Sequence, residues 1–306
     1  MKIQIITGPT AVGKTSVSLD VAQTVGGEIV SSDSRQIFRQ LSIGTSKPSP
    51  EELKRVKHHL IDELDVKEPY SAGIFTQMAE SRISDILSRG LVPLVTGGST
   101  LYLNALIFGL ANIPQVDGQI RQQLNERKEN EGSEILFEEL AAVDPSFAST
   151  LDPTKSQRII RGLEVYAGTG QPLSSFFSDH DPPKYEYEIF VLTRDRSTLY
   201  DRINQRVDQM IEGGLVDEVK ALIAARATPE LGMLHTIGYK EVYRFLDGEL
   251  EIDEMIDLIK RNTRRYAKRQ ITWFRKYEQA TWIDLDRGEE AMIIEQLMTR
   301  VSGEWP

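Results

Sequence analysis

The sequence predicts an α/β fold in which helices flank a parallel β-sheet, with an all-helical domain inserted into this core. An apolar run over residues 3–6 leads into the glycine-rich stretch GPTAVGKT at 8–15, and apolar residues at helical spacing follow it. The same order of strand, glycines and helix returns over 91–106, as in the repeated βα units of a parallel sheet. Between 114 and 183 the strand pattern gives way to helical patterns.

The stretch at 8–15 has the spacing of a phosphate-binding loop (P-loop), with two glycines followed by Lys14 and Thr15. Glycines let backbone N–H groups turn inward at the positive end of a helix, which makes an anion cradle. The lysine of such a loop reaches the outer phosphate, and the threonine hydroxyl holds magnesium. An ordinary glycine-rich turn is the alternative, but the flanking strand and helix favour a bound di- or triphosphate. The candidate diphosphate-binding residues are Gly8, Pro9, Thr10, Ala11, Val12, Gly13, Lys14 and Thr15, with Thr15 as the metal ligand.

The composition is that of a large globular protein. The 306 residues are 40% hydrophobic and include no cysteine, which allows a full core and excludes disulfides and thiolate zinc sites. A net charge of −10 argues against a protein that coats nucleic acid. The polar start MKIQ does not resemble a signal peptide, and no apolar run is long enough to span a bilayer. We therefore expect a cytoplasmic monomer that does not associate with membranes.

The elements of the first part of the core follow the first helix in order. A second strand over 28–32 ends at Asp33, and residues 40–50 are rich in glycine, proline and serine, which predicts a loop. A helical stripe runs over 71–90 and ends at a glycine. A buried strand at 91–96 then opens at two glycines into another helix, which repeats the βα order of a doubly wound sheet.

The same patterns divide the rest of the chain. We expect a catalytic core made of residues 1–113 and 184–306, and a helical insertion over 114–183. The insertion carries helical patterns at 117–130, 133–142 and 155–167. The second part of the core is predicted to hold a strand at 188–192, helices at 196–213 and 251–277, a short strand at 281–283 and a final helix.

Two candidate catalytic groups follow predicted strands. Asp33 lies at the edge where ligands of doubly wound sheets collect, so it is a candidate general base, and it is equally placed to cap the next turn. The strand at 91–96 ends without the carboxylate with which a hydrolysing NTPase holds magnesium and orients water. This favours a transferase in which the Ser99 hydroxyl contacts a substrate, although a serine after two glycines is also an ordinary helix N-cap.

Two arginines of the helix at 196–213 lie on one face, because Arg202 and Arg206 are four residues apart. Directed at the phosphate loop, such an arginine would neutralise a departing pyrophosphate. The alternative is that both pair with Asp201 and Asp208 on a solvated surface.

A basic stripe of eight lysines and arginines, with no acidic residue among them, occupies residues 260–276. Aromatic residues are interleaved with these charges, either for stacking on bases or as core contacts. A solvated helix is the usual explanation of such a run, but its single sign and length favour contact with a nucleic-acid backbone. The adjacent His58 and His59 lack metal-ligand partners at normal spacing and are expected to be structural.

Seven blocks of sequence, in this order, resemble the tRNA dimethylallyltransferase (tRNA isopentenyltransferase) family of bacteria. They are GPTAVGKT, SSDSRQIF with IGTSKP, HHLID, VTGGSTLYL, QRIIRGLEVYAGTGQPLS, HTIGYKE and KRQITWFRK. The resemblance covers nearly the whole chain. It implies transfer of a dimethylallyl group from dimethylallyl diphosphate to the exocyclic amine of the adenosine 3′ to the anticodon in tRNA, with release of pyrophosphate.

The resemblance also implies roles for individual residues. Asp33 would take the proton of the attacking amine, Thr15 would help to place Mg2+, and Lys14 and Arg206 would stabilise the leaving pyrophosphate. The family's regions that face the tRNA anticodon stem-loop correspond to Asp33, Ser34, Arg35, Gln36, Ser99, Arg121, Gln157, Arg158, Ile159, Ile160, Arg161, His235, Gly238, Tyr239, Lys240, Lys268, Arg269 and Arg275. Departures from the family's pattern are Ser99 in place of threonine, Phe38 in place of tyrosine, and His235 in place of arginine or alanine.

Other classes of protein share parts of this pattern. An enzyme that prenylates free adenine nucleotides has the same phosphate loop and catalytic aspartate, but it lacks the extended basic C-terminal part. A small-molecule kinase has the same strand, loop and helix and would bind ATP. A non-catalytic RNA-binding regulator would use the fold as a scaffold. The basic stripe at 260–276 and the helical insertion favour tRNA as the acceptor.

Overall fold

The computed structural model describes residues 2–179, 182–225 and 236–288, together with Ala291 and Glu295. Its described strands form one parallel sheet. They are β1 (Lys2–Thr7), β2 (Gly27–Ser31), β3 (His58–His59), β4 (Val92–Gly97), β5 (Glu186–Thr193) and β6 (Thr281–Asp284). Their order across the sheet is β3-β2-β4-β1-β5-β6, which confirms the predicted α/β class.

Helices connect these strands and make up the insertion. The described α-helices are α1 (Lys14–Val25), α2 (Pro50–Arg55), α3 (Ala72–Ser88), α4 (Thr100–Phe108), α5 (Gly118–Glu131), α6 (Ser133–Val143), α7 (Pro145–Ala148), α8 (Ser156–Thr169), α9 (Arg196–Glu212), α10 (Leu215–Ala224), α11 (Tyr239–Leu246) and α12 (Ile252–Phe274). A bilayer-spanning segment is not found among the helices of the described residues.

The core lies on both faces of the sheet, because side chains alternate along each strand. In β1, Ile3 and Ile5 pack on one face with residues of α3, α4 and α10 to α12. Ile6 packs on the opposite face with residues of α1 and α9. Helix α12 contributes to both clusters, through Ile259 to the first and Ala267 to the second. It therefore crosses the edge of the sheet at which the P-loop lies.

The two-residue strand β3 was not predicted, because two residues give no alternating pattern. His58 and His59 pair with Ile29 and Val30 of β2. The side chain of His59 is buried, and its Nε2 lies 2.6 Å from Oε2 of Glu28. Its expected structural role agrees with this placement.

One other predicted boundary differs from the structure, and another predicted element falls mostly outside the described residues. The predicted loop at 40–50 is one residue too long, since Pro50 is the first residue of α2. Ser49 and Glu52 form a capping box there, in which each side chain accepts from the other residue's amide. The predicted final helix falls almost wholly on residues outside the described set.

The chain divides into two compact units, one made of residues 1–107 and 184–306 and the other of residues 108–183. The second unit begins six residues before the predicted insertion at 114 and ends at the same residue. Its own core contains Leu124 of α5, Leu140 of α6 and Ile160 of α8. As an assignment of functional domains, the division remains a prediction.

Helix α8 separates the predicted tRNA contacts of this unit into two groups. Gln157 and Arg158 are exposed, and Arg161 is partly exposed. Ile159 and Ile160 are fully buried in the unit's core. The prediction of direct tRNA contact by these two side chains is therefore corrected, because a helix turns successive residues to different faces.

We expect Ile160→Ala to lower the free energy of unfolding by about 2–5 kcal/mol, because it leaves a cavity in a closed core. The exposed Gln157→Ala should change it by less than about 0.5 kcal/mol. Denaturant unfolding followed by circular dichroism measures both. Equal effects of the two substitutions would contradict the assignment of Ile160 to the core.

Candidate active site

Three loops meet at the carboxyl edge of the sheet, because β1 and β2 both pair with β4. They are the P-loop after β1, the segment after β2 that holds Asp33, and the segment after β4 that holds Ser99. The Thr7 hydroxyl donates to the Gly97 carbonyl over 2.7 Å, which ties the first loop to the third. The predicted strand-end position of both catalytic candidates is therefore found in the fold.

The P-loop takes backbone conformations that depend on its sequence. Gly8 and Gly13 have φ of 152° and 118°, which glycine adopts without strain, and Ala11 is left-handed at 64°. The ammonium of Lys14 donates to the carbonyls of Gly8 over 3.0 Å and Pro9 over 2.9 Å. This lysine thus folds over the loop, in the position from which it reaches a phosphate.

Three arginines approach the P-loop from β5 and α9. Arg194 Nε donates to the carbonyl of Val12 and Arg202 Nε to that of Ala11, each over 2.8 Å. Arg206 Nη1 lies 3.4 Å from the Thr10 hydroxyl. Arginine side chains therefore meet three consecutive residues of the loop.

The alternative that surface aspartates pair with the arginines of α9 does not hold for Asp208, which pairs with Lys260 over 2.6 Å. Arg206 instead donates to the Ser46 hydroxyl over 2.6 Å and faces the loop. Sequence reasoning missed Arg194. Its place directly after β5 was a usable signal, since ligands collect at strand ends.

Gln270 of α12 joins two of the loops and was also missed. Its Oε1 accepts from the Thr10 amide over 2.9 Å, and its Nε2 donates to the Gly98 carbonyl over 2.8 Å. The side chain is 3% exposed. A glutamine between Ala267 and Phe274 on the buried face of the helix was the available signal, because buried amides need partners.

Asp33 caps the turn that follows it, as one of the two interpretations predicted. Its Oδ1 accepts from the amides of Arg35 over 2.8 Å and Gln36 over 3.2 Å. The Ser99 hydroxyl oxygen accepts from the Ser34 amide over 3.0 Å, so it also orders this turn. These bonds fix the Asp33 carboxylate while its second oxygen, Oδ2, retains lone pairs for a proton.

Two cavities adjoin at these residues. The larger, about 420 Å³, lies over the P-loop and is lined by polar groups that include Lys14, Thr15 and Arg202. The smaller, about 380 Å³, is lined partly by apolar side chains. Residues common to both cavities are Thr10, Asp33, Thr45, Arg206 and Tyr266. The arrangement suits a ligand with a charged head and a short apolar tail, joined beside Asp33 and Arg206.

The electrostatics of the larger cavity favour an anion. Burial, together with the neighbouring Arg206, lowers the pKa of Lys14 to about 7, although the Asp33 carboxylate opposes this. Burial also lowers the pKa of Arg206, with Asp33 opposing and Arg202 adding to the effect. A bound diphosphate would relieve the repulsion among these cations.

The oxygen donors fit a magnesium ion better than a transition metal. Thr15 and Asp33 line the larger cavity together. Among the described residues no cluster of three or more histidine, cysteine, aspartate or glutamate side chains could hold a metal. Magnesium suits this set, because it binds through one or two protein oxygens, substrate phosphates and water.

The residues of the first unit that were predicted to face tRNA fall into three groups. Ser34, Arg35, Gly238 and Arg269 line the smaller cavity, and Gln36 lines the larger. Lys268, Arg269 and Arg275 are exposed on α12 or directly after it, and Lys240 is partly exposed. His235 lies outside the described residues.

Tyr239 needs a correction, because its side chain is fully buried and its hydroxyl donates to Glu218 Oε1 over 2.6 Å. Its ring also packs against Gly44, where a Cβ would approach within 2.5 Å. It therefore positions the chain beside the smaller cavity instead of contacting tRNA through its side chain.

In the second unit the polar candidates form a linked group. Arg121 donates to Glu164 over 3.1 Å and to Gln157 over 3.2 Å. Arg161 donates to the same Glu164 carboxylate over 3.0 Å. The buried Glu164 thus orients two arginines whose side chains stay about 40% exposed, at 42% and 37%.

Comparison with known proteins gives a consistent result. Residues 36–277 match the family model described as IPP transferase. The tRNA dimethylallyltransferase of Salinibacter ruber is 53% identical over 92% of this chain and 87% of that protein. The tRNA dimethylallyltransferase of Thermotoga maritima is 44% identical, over 97% of each chain.

Solved structures agree. The tRNA isopentenylpyrophosphate transferase of Bacillus halodurans matches with a TM-score of 0.71 and 39% identity, over 98% of this chain and 97% of that one. A eukaryotic dimethylallyltransferase, described as acting on tRNA, matches with a TM-score of 0.75 and 29% identity. That match covers 92% of this chain and 73% of the other.

The lowered pKa of Lys14 predicts proton uptake when a diphosphate binds. Near pH 8 the ligand-free lysine is mostly neutral, since its pKa is about 7, and a bound polyanion favours the charged form. We expect uptake of up to about one proton per pyrophosphate bound. Calorimetry in buffers of different ionisation enthalpy, at constant magnesium, measures this number.

Lys14→Arg is the matched control, because arginine stays charged with or without the ligand. The difference in proton uptake between the two proteins removes the contribution of pyrophosphate itself. The same uptake in both would show that Lys14 is not the group that gains the proton.

Proposed function

The chain belongs to the IPP transferase family, and from that premise we propose that it transfers a dimethylallyl group from dimethylallyl diphosphate to tRNA. The acceptor is the exocyclic amine of the adenosine 3′ to the anticodon, and pyrophosphate is released. The observation that carries this proposal is the pair of adjoining cavities, one polar and one partly apolar, with Asp33 and Arg206 common to both.

The polar cavity would hold the diphosphate. The amides of the P-loop, the Lys14 ammonium and the guanidinium groups of Arg202 and Arg206 supply donors and positive charge on its walls. A magnesium ion held by the Thr15 hydroxyl would neutralise further charge on the diphosphate when bound. Because charge grows on the bridging oxygen as the carbon–oxygen bond breaks, these groups stabilise the transition state more than the bound substrate.

The transfer is a displacement at C1 of the dimethylallyl chain. The adenosine amine forms a bond to C1, the bond between C1 and the diphosphate oxygen breaks, and that electron pair leaves on pyrophosphate. The amine gains positive charge and passes one proton to Oδ2 of Asp33. The bonds from the amides of Arg35 and Gln36 to Oδ1 hold this carboxylate in place, and the Ser99 hydroxyl is a donor for the incoming base.

Exposed cations of the first unit and of the second unit are proposed to contact tRNA. In the first unit the exposed Lys268, Arg269 and Arg275 give backbone contacts beside the smaller cavity, which Arg269 also lines. In the second unit Arg121 and Arg161, oriented by Glu164, give others. A base in a loop must leave its stack to react, so the protein needs contacts with the RNA backbone on both sides of that base.

One assay tests the reaction and its acceptor. We expect labelled dimethylallyl diphosphate with magnesium to label unmodified tRNA and its anticodon stem-loop, and not AMP or ATP. Because phosphate contacts dominate tRNA affinity, labelling should fall steeply as salt rises. Label on AMP alone would overturn the tRNA assignment, and ATP consumption without prenyl transfer would indicate a kinase.

A second experiment tests the general base. We expect Asp33→Asn to lower kcat by about a hundredfold or more, since the amide oxygen can keep both turn bonds but cannot take a proton. Affinity for tRNA should stay nearly the same, and Asp33→Ala should lose the turn bonds as well as the rate. Single-turnover kinetics with saturating tRNA separate the two effects. Activity of Asp33→Asn within about tenfold of the wild-type value would assign the proton transfer to another group.

A further inference from the structure

Helix α9 spans both cavities along one face. Arg202 lines only the larger cavity, Arg206 lines both, and Met210 lines only the smaller. The three residues are four positions apart, so they follow one another along a single face with a rise of about 6 Å per step. Arg202 and Arg206 contact the P-loop directly. Successive residues on this face therefore lie progressively farther from the P-loop.

The smaller cavity has both polar and apolar lining residues. The loops after β2 and β4 supply Asp33, Ser34 and Ser99, and the helices add the polar side chains of Arg206, Thr263, Tyr266 and Arg269. Its apolar residues come from α9, α12 and the segment before α11, and they are Ile203, Val207, Met210, Ile237 and Ile259. The base and its acceptor amine belong beside Asp33 and Ser99, which leaves the apolar side chains of the helices for the hydrocarbon chain.

The geometry of displacement also allows the hydrocarbon chain to extend toward α9. The attacking nitrogen and the leaving oxygen lie on opposite sides of C1, so the rest of the chain extends sideways from that axis. The axis runs between the Lys14 and Arg206 cations and the Asp33 carboxylate, all of which line the larger cavity. A chain directed from this axis along α9 would reach Met210, one turn beyond Arg206.

The dimethylallyl chain is shorter than this turn of α9. From C1 to its terminal methyl groups a dimethylallyl chain spans three carbon–carbon bonds, about 4 Å. The rise from Arg206 to Met210 is about 6 Å. A geranyl chain, with five more carbons, would extend into the space that the Met210 side chain occupies.

We propose that Met210 sets the length of the prenyl chain and excludes donors longer than five carbons. This assignment rests on the proposed function. Ile203, Val207 and Ile259 are at most 1% exposed and belong to the packed core, whereas Met210 is only partly buried. Shortening Met210 therefore lengthens the cavity with less disturbance of the core than shortening any of those three residues.

The test compares dimethylallyl and geranyl diphosphate as donors to the same tRNA. We expect the wild-type protein to prefer the five-carbon donor strongly. Met210→Ala should raise the ratio of kcat/KM for geranyl to that for dimethylallyl diphosphate by about tenfold or more. Met210→Leu, which nearly conserves the volume, should keep the preference of the wild type.

Met78→Ala is the matched control. Met78 is a partly buried methionine of α3 that packs against the same core as Met210, and it does not line either cavity described above. Its removal should leave the donor ratio at the wild-type value. An unchanged ratio in Met210→Ala, with dimethylallyl transfer intact, would overturn the assignment.

A bulky substitution gives an independent test if Met210→Ala folds poorly. Met210→Trp should raise KM for dimethylallyl diphosphate at least about tenfold, while the Kd for pyrophosphate stays at the wild-type value, because the head-group contacts are untouched. Loss of both affinities together, or of neither, would also overturn the assignment. If the wild-type protein transferred no dimethylallyl group at all, the proposed function would fail in its own right.

Discussion

The site depends on how the backbone carbonyls of the P-loop are satisfied. A loop that turns its N–H groups inward to meet an anion must direct carbonyls elsewhere, and buried carbonyls without partners are costly. Here lysine and arginine side chains satisfy these carbonyls. Lys14 donates to the carbonyls of Gly8 and Pro9, and Arg202 and Arg194 donate to those of Ala11 and Val12. The side chains that hold the loop's shape are also those that attract a diphosphate, so one set of residues serves both purposes.

Such a concentration of positive charge has a cost, which the rest of the site offsets. Burial beside Arg206 lowers the pKa of Lys14 to about 7, so the ligand-free site avoids part of its own repulsion by losing a proton. Asp33 opposes this shift and also the shift of Arg206. The carboxylate therefore stabilises the cations before the substrate binds, and in the proposed reaction it accepts a proton when the leaving pyrophosphate has taken over that balancing role.

Local patterns predicted much of this architecture. The P-loop, the strand-end position of Asp33 and the arginine face of α9 each follow from a few neighbouring residues, and the sheet class followed from repeated βα order. The missed features depend on distant residues. The bond of Arg194 to Val12 joins positions 182 apart, and that of Gln270 to Thr10 joins positions 260 apart. Likewise, whole motif blocks were assigned to tRNA although Tyr239 and Ile160 face inward, because a block of sequence does not say which face of a helix each residue occupies.

Displacement at carbon requires the amine, C1 and the leaving oxygen to be aligned within a fraction of an ångström, so the groups that place them must move together. Helix α12 supplies this coupling in the first unit. Its buried Gln270 holds the Thr10 amide, its exposed Lys268 and Arg269 form part of the proposed tRNA surface, and its Lys260 pairs with Asp208 of α9. The P-loop, the apolar residues of α9 in the smaller cavity and the exposed cations of α12 are thereby attached to two helices packed against each other. In the proposed reaction, the packing of α9 against α12 would hold the two substrates in a fixed relative position.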